Sequence, residues 1–208
     1  MFGKKRAGRE LRRYRKNGPA KTTKILIDAI TSEGVEGKTL LDIGGGIGAI
    51  QHELLKAGAG RSVGVDASPA YLKAAEEESV RLGHADRVRH HEGDFVEIAP
   101  SIEPADIVTL DRVVCCYDDV DSLVGQSSAR ANELYGLVYP RDNWFLRSAI
   151  RVANLFLWLT RCPFRAFVHP SARVEALVAE SGLHRRFYRR TALWQVVIFA
   201  KEGASSSV

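Results

Sequence analysis

Residues 40–50 read Leu40-Leu41-Asp42-Ile43-Gly44-Gly45-Gly46-Ile47-Gly48-Ala49-Ile50. An apolar run ends in a carboxylate, glycines recur at every second position from Gly44 to Gly48, and an apolar-periodic segment follows. This is the pattern of a buried strand, a tight turn and a helix N-terminus. Glycine suits a backbone that must turn sharply and admit a ligand with no Cβ in the way. The first N–H groups of a helix have no intrahelical partner, so the turn offers donors to whatever lies across it. The expected ligand is of the nucleoside type.

Two such cofactors compete. Gly44, Gly46 and Ala49 satisfy the loose dinucleotide pattern G-x-G-x-x-G/A, which points to an NAD(P)-dependent oxidoreductase. The same glycines with Asp42 in front satisfy D-x-G-x-G-x-G. That arrangement resembles the first motif of class I S-adenosylmethionine-dependent methyltransferases. A dinucleotide carries a pyrophosphate, which a carboxylate beside the turn repels. S-adenosylmethionine has no phosphate and carries an ammonium and a sulfonium, so Asp42 favours it on charge grounds.

Further landmarks follow at regular intervals. Arg61 to Asp66 reads as a second strand ending in a carboxylate, 18 residues after Gly48. An acid there, followed by Ala67 at the strand tip, accepts from the vicinal ribose hydroxyls. Ser68 and Pro69 provide the N-cap and first turn of a helix over 69–83, which leaves Asp66 free for the ligand. A third strand from Val88 leads to Gly93-Asp94-Phe95. This is similar to the methyltransferase motif that holds adenine, and the resemblance implies Asp94 at the exocyclic amine and Phe95 on the ring. A fourth strand, Ile107 to Leu110, carries Asp111 and Arg112 at its carboxyl end, where open α/β sheets bind ligands.

Strands alternating with helices argue for a doubly wound α/β sheet. Glu133 to Tyr139 reads as a fifth strand, Ala172 to Ser181 as a helix, and Leu183 to Tyr188 with Leu193 to Lys201 as a closing antiparallel hairpin. The resemblance implies the Rossmann-like methyltransferase fold, a mostly parallel seven-stranded sheet ending in that hairpin. Asp111–Tyr117, Tyr139–Trp144 and Phe164–Pro170 look like the branch containing magnesium-protoporphyrin O-methyltransferase. Cys116 stands where the pigment enzymes of that branch place a His, so the porphyrin substrate is not carried over.

The chain has 208 residues, one domain by size. Its three cysteines, Cys115, Cys116 and Cys162, show no metal-ligand spacing and suggest free thiols in a reducing compartment, the cytoplasm. No metal is expected; His90 and His91 read as strand-surface residues and lack usable spacing with Glu92. Residues 1–24 hold ten Lys or Arg and one acid, Glu10, so the rest carries −4 of the net +5. They read as a basic N-terminal arm, with residues 25–208 as the methyltransferase domain. Such an arm suits nucleic acid, an anionic membrane surface or an anionic partner. Sparse aromatics, Phe2 and Tyr14, weaken the nucleic-acid reading. By resemblance the N-terminal segment folds over the cofactor and puts Tyr14 there.

Residues 144–160 are the most apolar helical stretch, interrupted by Arg147 and Arg151, which argues against a membrane span. By resemblance a helical lid occupies about 142–168. Its Trp and Leu residues suit a large apolar acceptor, and packing on the sheet is expected to cover about half of its apolar surface. The activity expected is methyl transfer to a small or medium organic molecule, at oxygen. His169, Tyr117 and Asp111 are the candidate bases, His169 and Tyr117 the catalytic pair.

Overall fold

The computed structural model describes residues 3–160 and 165–203, so Phe2, Cys162 and Phe164 lie outside it. Two helices, α1 (Lys4–Asn17) and α2 (Lys21–Ser32), precede the sheet. Strands β1 (Thr39–Ile43), β2 (Arg61–Asp66), β3 (Val88–Glu92), β4 (Ala105–Asp111) and β5 (Ala131–Pro140) then alternate with α3 (Ala49–Lys56), α4 (Pro69–Leu82), the single-turn α5 (Phe95–Ile98) and α6 (Val120–Ser128). Helices α7 (Trp144–Leu159) and α8 (Ser171–Glu180) lead into the hairpin β6 (Leu183–Arg190) and β7 (Trp194–Lys201). The elements read from the sequence are therefore present, with ends shifted by a few residues.

The seven strands lie in the order β3-β2-β1-β4-β5-β7-β6. The pairs among β1 to β5 are parallel, and β7 runs antiparallel to both β5 and β6. The expected doubly wound sheet with its terminal hairpin is borne out. The strand order reverses direction between β1 and β4, and a crevice opens at such a point outside the carboxyl ends of the strands.

The two faces of the sheet are sorted by the two-residue period of a strand. Leu40, Ile107, Leu134, Val138, Val196 and Ile198 join one core with Leu26 and Ile30 of α2 and Leu54 of α3. Their neighbours Leu41, Val108, Tyr135, Leu137, Val197 and Phe199 join the opposite core with Leu123 of α6 and Leu177 of α8. Both faces being covered explains the near-continuous apolar runs of β4 and β5.

The N-terminal residues are more ordered than an arm suggests. Ala7, Leu11 and Tyr14, at helical spacing, pack with Ile47, Tyr71 and Ala74. Lys4, Lys5, Arg9, Arg12, Arg13 and Lys16 occupy the exposed side of α1. Glu78 of α4 is fully buried, and Arg15 of α1 and Arg81 both reach it. The Arg81 and Arg15 guanidiniums hold its carboxyl down at about 2. The division at residue 24 falls inside α2. Helix α7 runs against expectation: none of its residues is buried, so packing on the sheet does not cover half of its apolar surface. His90 also departs from a surface reading, since both its ring nitrogens are buried without a partner among the described residues.

Leu11→Ala should lower stability by about 2 kcal/mol, near the bottom of the range for buried Leu because the site lies close to solvent. Urea unfolding followed by circular dichroism should show one transition at a lower midpoint; an unchanged midpoint would mean that α1 is not part of the cooperative unit.

Candidate active site

The turn after β1 is built around a buried carboxylate. Asp42, 1% exposed, accepts from Thr109 Oγ1 of β4 at 2.7 Å on Oδ1 and from Gln51 Nε2 of α3 at 3.2 Å on Oδ2. It thus ties β1, β4 and α3 together beneath the glycines. Burial pushes its carboxyl up to about 7, although the Thr109 and Gln51 bonds pull the other way. A Cβ on Gly45 would lie 2.5 Å from Asp42 Oδ2 and 2.7 Å from Gln51 Nε2. Gly44, at φ 64°, would place a Cβ 2.4 Å from Val113 Cγ2. The first fits only because Gly45 lacks a side chain; the second needs glycine for both conformation and space.

Asp66 braces the same turn from the next strand. Its Oδ2 accepts from the Gly46 N–H at 3.0 Å and its Oδ1 from the Ser68 N–H at 2.8 Å. The Ser68 side chain forms no cap bond at the start of α4. Asp66 therefore serves the backbone at both ends, contrary to the expectation that Ser68 relieves it. Each oxygen keeps a second lone pair. Ala67 is exposed at the strand tip beside it.

Above the turn lies a crevice with about 540 Å³ of empty space, continuous with open solvent. Its walls include Tyr14, Asp42, Gly44, Gly46, Asp111 and Arg112. Six of the expected residues thus meet there, with Asp42 forming the floor. The exit of β4 is held by a compact network. Thr23 Oγ1 donates to Asp111 Oδ2 at 2.5 Å, and Arg112 Nε and Nη2 reach the two Asp111 oxygens at 3.0 and 3.1 Å. Arg112 is the sole non-glycine residue with positive φ, 62°, among the described residues. Such a conformation costs of order 1–3 kcal/mol and persists only where the surroundings fix it.

Helix α1 and the turn after it roof the crevice. Tyr14 donates to Glu53 Oε1 at 2.6 Å, and burial, reinforced by Glu53, raises its hydroxyl far above the usual range. Glu10, Arg13, Gly18, Pro19 and Thr23 also line the space. None of these five was singled out in the sequence. The apolar 7, 11, 14 spacing and the Gly18-Pro19 break between helices were the available signals, masked by ten basic residues.

The remaining expected residues form a second group. Asp94 caps α5 through the Val96 N–H at 2.9 Å, and Tyr117 Oη donates to the same Oδ1 at 2.9 Å. Among the described residues its Oδ2 takes no hydrogen bond. Burial, then the Asp94 bond, raises the Tyr117 hydroxyl well above its ordinary value, so it keeps its proton at neutral pH. His169 Nε2 lies 2.8 Å from the Tyr117 carbonyl, which fixes the proton on Nε2 and leaves Nδ1 as the basic nitrogen. Gly48 caps α3 and is absent from the crevice lining. Phe95 is 4% exposed within the core, with the Arg130 guanidinium 5.7 Å from its ring centroid. It presents no open face for a base. Cys115 is buried in a short 3₁₀ turn and Cys116 is exposed; both are free thiols.

Residues 41–133 match the family model described as a methyltransferase domain. The ribosomal protein L11 methyltransferase of Enterobacter sp. (strain 638) is 31% identical over 91 residues, 44% of this chain and 30% of that protein. That of Pectobacterium atrosepticum is 30% identical over 90 residues, 43% of this chain and 28% of the relative. The chain therefore spans less than a third of the length of these relatives. Among solved structures, magnesium protoporphyrin IX methyltransferase from Synechocystis PCC 6803 with bound SAH superposes with a TM-score of 0.70 at 16% identity, covering 87% of this chain and 82% of that one. An O-methyltransferase family protein from Burkholderia thailandensis gives 0.69 at 18% identity, covering 89% and 57%. The fold is the Rossmann-like one of these solved methyltransferases, and the stretch that matches the methyltransferase-domain model begins one residue before Asp42 and takes in the glycine turn, in agreement with the resemblance read from the sequence. The likeness to the pigment enzyme is one of fold alone at that identity.

Among the described residues no group of three His, Cys, Asp or Glu side chains is placed to hold a metal ion, and no helix is long and apolar enough to cross a membrane.

The raised Asp42 value makes a pH prediction. An acid whose folded pKa exceeds its unfolded one stabilises the fold below the unfolded value, near 4, and loses that contribution as pH rises to about 7. In Asp42→Asn the ionisable group is gone, and Gln51 Oε1, unpartnered among the described residues, can turn to accept from the new amide. The variant's stability relative to wild type should therefore rise between pH 4 and pH 8, by at most about 4 kcal/mol. Denaturation curves at the two pH values measure this; a pH-independent difference would show that Asp42 is ionised throughout.

Proposed function

We propose that this chain binds S-adenosylmethionine in the crevice over the Gly44–Gly46 turn and transfers its methyl group to a small or medium organic acceptor at oxygen. The observation carrying this reading is the crevice itself, at the strand-order reversal, floored by Asp42, with Asp66 holding the Gly46 N–H of its turn. Its lining carries Glu10 and Asp111 beside Arg13 and Arg112, which matches a zwitterionic amino-acid end better than a pyrophosphate. The charge argument rests here on Asp111 and Glu10 rather than on Asp42, whose carboxyl burial pushes up to about 7.

In this reading the turn backbone from Gly44 to Ile47 meets the methionine part, and Gly48 contributes by starting α3 behind it. Asp66 uses its remaining lone pairs for the ribose hydroxyls, with Ala67 alongside. Asp94 Oδ2 accepts from the adenine amine, and Tyr117 fixes that carboxylate through Oδ1. Phe95, enclosed in the core, is given no part. Tyr14 and Arg13 close the roof, while the Thr23–Asp111–Arg112 network holds the wall nearest the acceptor. Bound S-adenosylmethionine supplies a methyl carbon activated by the sulfonium. The protein's task is to align an acceptor oxygen with it and to exclude water. A carboxylate acceptor needs no base. For a hydroxyl, Nδ1 of His169 is the group proposed to take the proton, since Tyr117 retains its own.

A thermal-shift comparison tests the cofactor. S-adenosylmethionine and its demethylated product should raise the melting temperature, and NADH should leave it unchanged; the reverse pattern would replace methyl transfer with hydride transfer. Asp66→Ala should weaken S-adenosylmethionine binding by about 1–3 kcal/mol in calorimetry, the cost of hydroxyls left unpartnered. Full affinity in the variant would remove Asp66 from the site.

A further inference from the structure

Helix α7 presents an apolar surface that nothing within the described chain covers. At 3.6 residues per turn, Leu146, Ile150, Asn154 and Leu157 fall on its half-buried side. Asn154 fastens that side through two hydrogen bonds to the Ala166 backbone, at 2.7 and 3.0 Å. The opposite side carries Phe145, Val152, Leu155, Phe156 and Leu159, each 57–68% exposed, with Trp144 at 79% and Trp158 at 62% along one edge. The helix contains no acid, and Arg151 lies between the two tryptophans on the helical wheel. Isolated exposed apolar residues are ordinary, but seven large ones on one helix face mark a docking surface.

The N-terminal end of α1 lies near the loop that α7 adjoins. Ala166 adjoins Phe167, whose N–H donates to the Cys115 carbonyl at 2.8 Å. Arg6 of α1 is close enough to the neighbouring Cys116 to lower its thiol, alongside the larger effect of the Cys115 hydrogen bond. An apolar helix and a helix studded with exposed Lys and Arg thus flank the loop that leaves β4.

We propose that this rim docks on an anionic lipid bilayer, with the outer side of α7 in the headgroup–acyl boundary and α1 against the lipid phosphates. Three observations select this occupant. The tryptophans sit at the margin of the apolar face, beside an arginine, as at a membrane–water interface. Cations adjoin that face and no anion of α7 opposes them. The helix, 16 residues and about 24 Å long, is too short to span and is suited to lying flat. A second copy packed symmetrically on α7 would set Arg151 against its like with no acid in the helix to pair it. A nucleic-acid partner leaves the aromatic and aliphatic surface without a counterpart.

Vesicle co-sedimentation of the full chain tests the proposal. Vesicles of phosphatidylcholine with about 30 mol % phosphatidylglycerol should bind at least about tenfold more protein than pure phosphatidylcholine, and the difference should fall as salt rises. Tryptophan emission should shift to the blue on binding. The double variant Leu155→Ser, Phe156→Ser should lose at least about tenfold in partitioning, with melting temperature and S-adenosylmethionine-induced stabilisation unchanged because both residues are outside the core and the crevice. Removing charge from α1 by Lys5→Gln and Arg9→Gln should reduce binding to the anionic vesicles alone. Absence of vesicle binding, equal binding to both compositions, or a dimer abolished by the α7 double variant would overturn it. The S-adenosylmethionine thermal shift is read separately, so failure of the docking surface is distinguishable from failure of the crevice reading.

Discussion

A carboxylate sealed under three glycines organises this molecule. Asp42 joins the strand that carries the turn to β4 through Thr109 and to α3 through Gln51. Its environment is costly, as the raised pKa shows, and an unpaired buried carboxylate would cost more. The two hydrogen bonds make the arrangement tolerable and set where α3 begins. Gly45 must lack a side chain because those bonds occupy the space. The glycine run and the buried acid are therefore one device: small residues let the backbone fold over a polar hub, and the hub holds the backbone in the shape that leaves a crevice above it.

A second carboxylate works from outside. Asp66 grips the Gly46 N–H with one oxygen and the Ser68 N–H with the other. The turn after β1 and the turn after β2 are thus fixed relative to each other before any ligand arrives. Positioning of this kind reduces the ordering cost paid on binding. The carboxylate still has lone pairs that the two backbone donors do not use. The same economy appears at Asp94, whose Oδ1 receives both the helix cap and Tyr117.

What could be read from the residues alone follows from the range of the interactions concerned. The strands of the sheet and the turn at Gly44 to Gly48 were legible because alternating burial and glycine spacing are local signals. Helix α1 was misread as an arm because charge dominated its composition, although Ala7, Leu11 and Tyr14 carried a helical stripe. That stripe has meaning only once Ile47 and Tyr71 are seen beside it. Phe95 illustrates the opposite failure. A motif placed an aromatic next to Asp94, yet a single-turn helix starting there carries its side chain into the core under Arg130. Sequence adjacency to a capping acid does not fix which way the next side chain points. Ser68 failed similarly: its residue type favours capping, but its side chain forms no cap bond and its own N–H is held by the Asp66 carboxylate.

The roof and the floor of the crevice are held by different kinds of force, and this bears on how a ligand could enter. Below the turn, the parallel strands and two apolar cores lock β1 and β4 in register, so the floor moves only with the sheet. Above it, α1 rests on a small apolar cluster and on polar contacts at its margin: Tyr14 to Glu53, Tyr71 to Glu10 and Arg15 to Glu78. Gly18, at φ 72°, and Pro19 separate α1 from α2, whose Leu26 and Ile30 are wholly buried against the sheet. The break therefore divides a helix packed on the sheet from one packed on the glycine turn and α4. Opening at that joint would uncover Gly44, Gly46 and Asp111 without disturbing a single strand pairing, whereas opening from below would have to break the Asp42 hub.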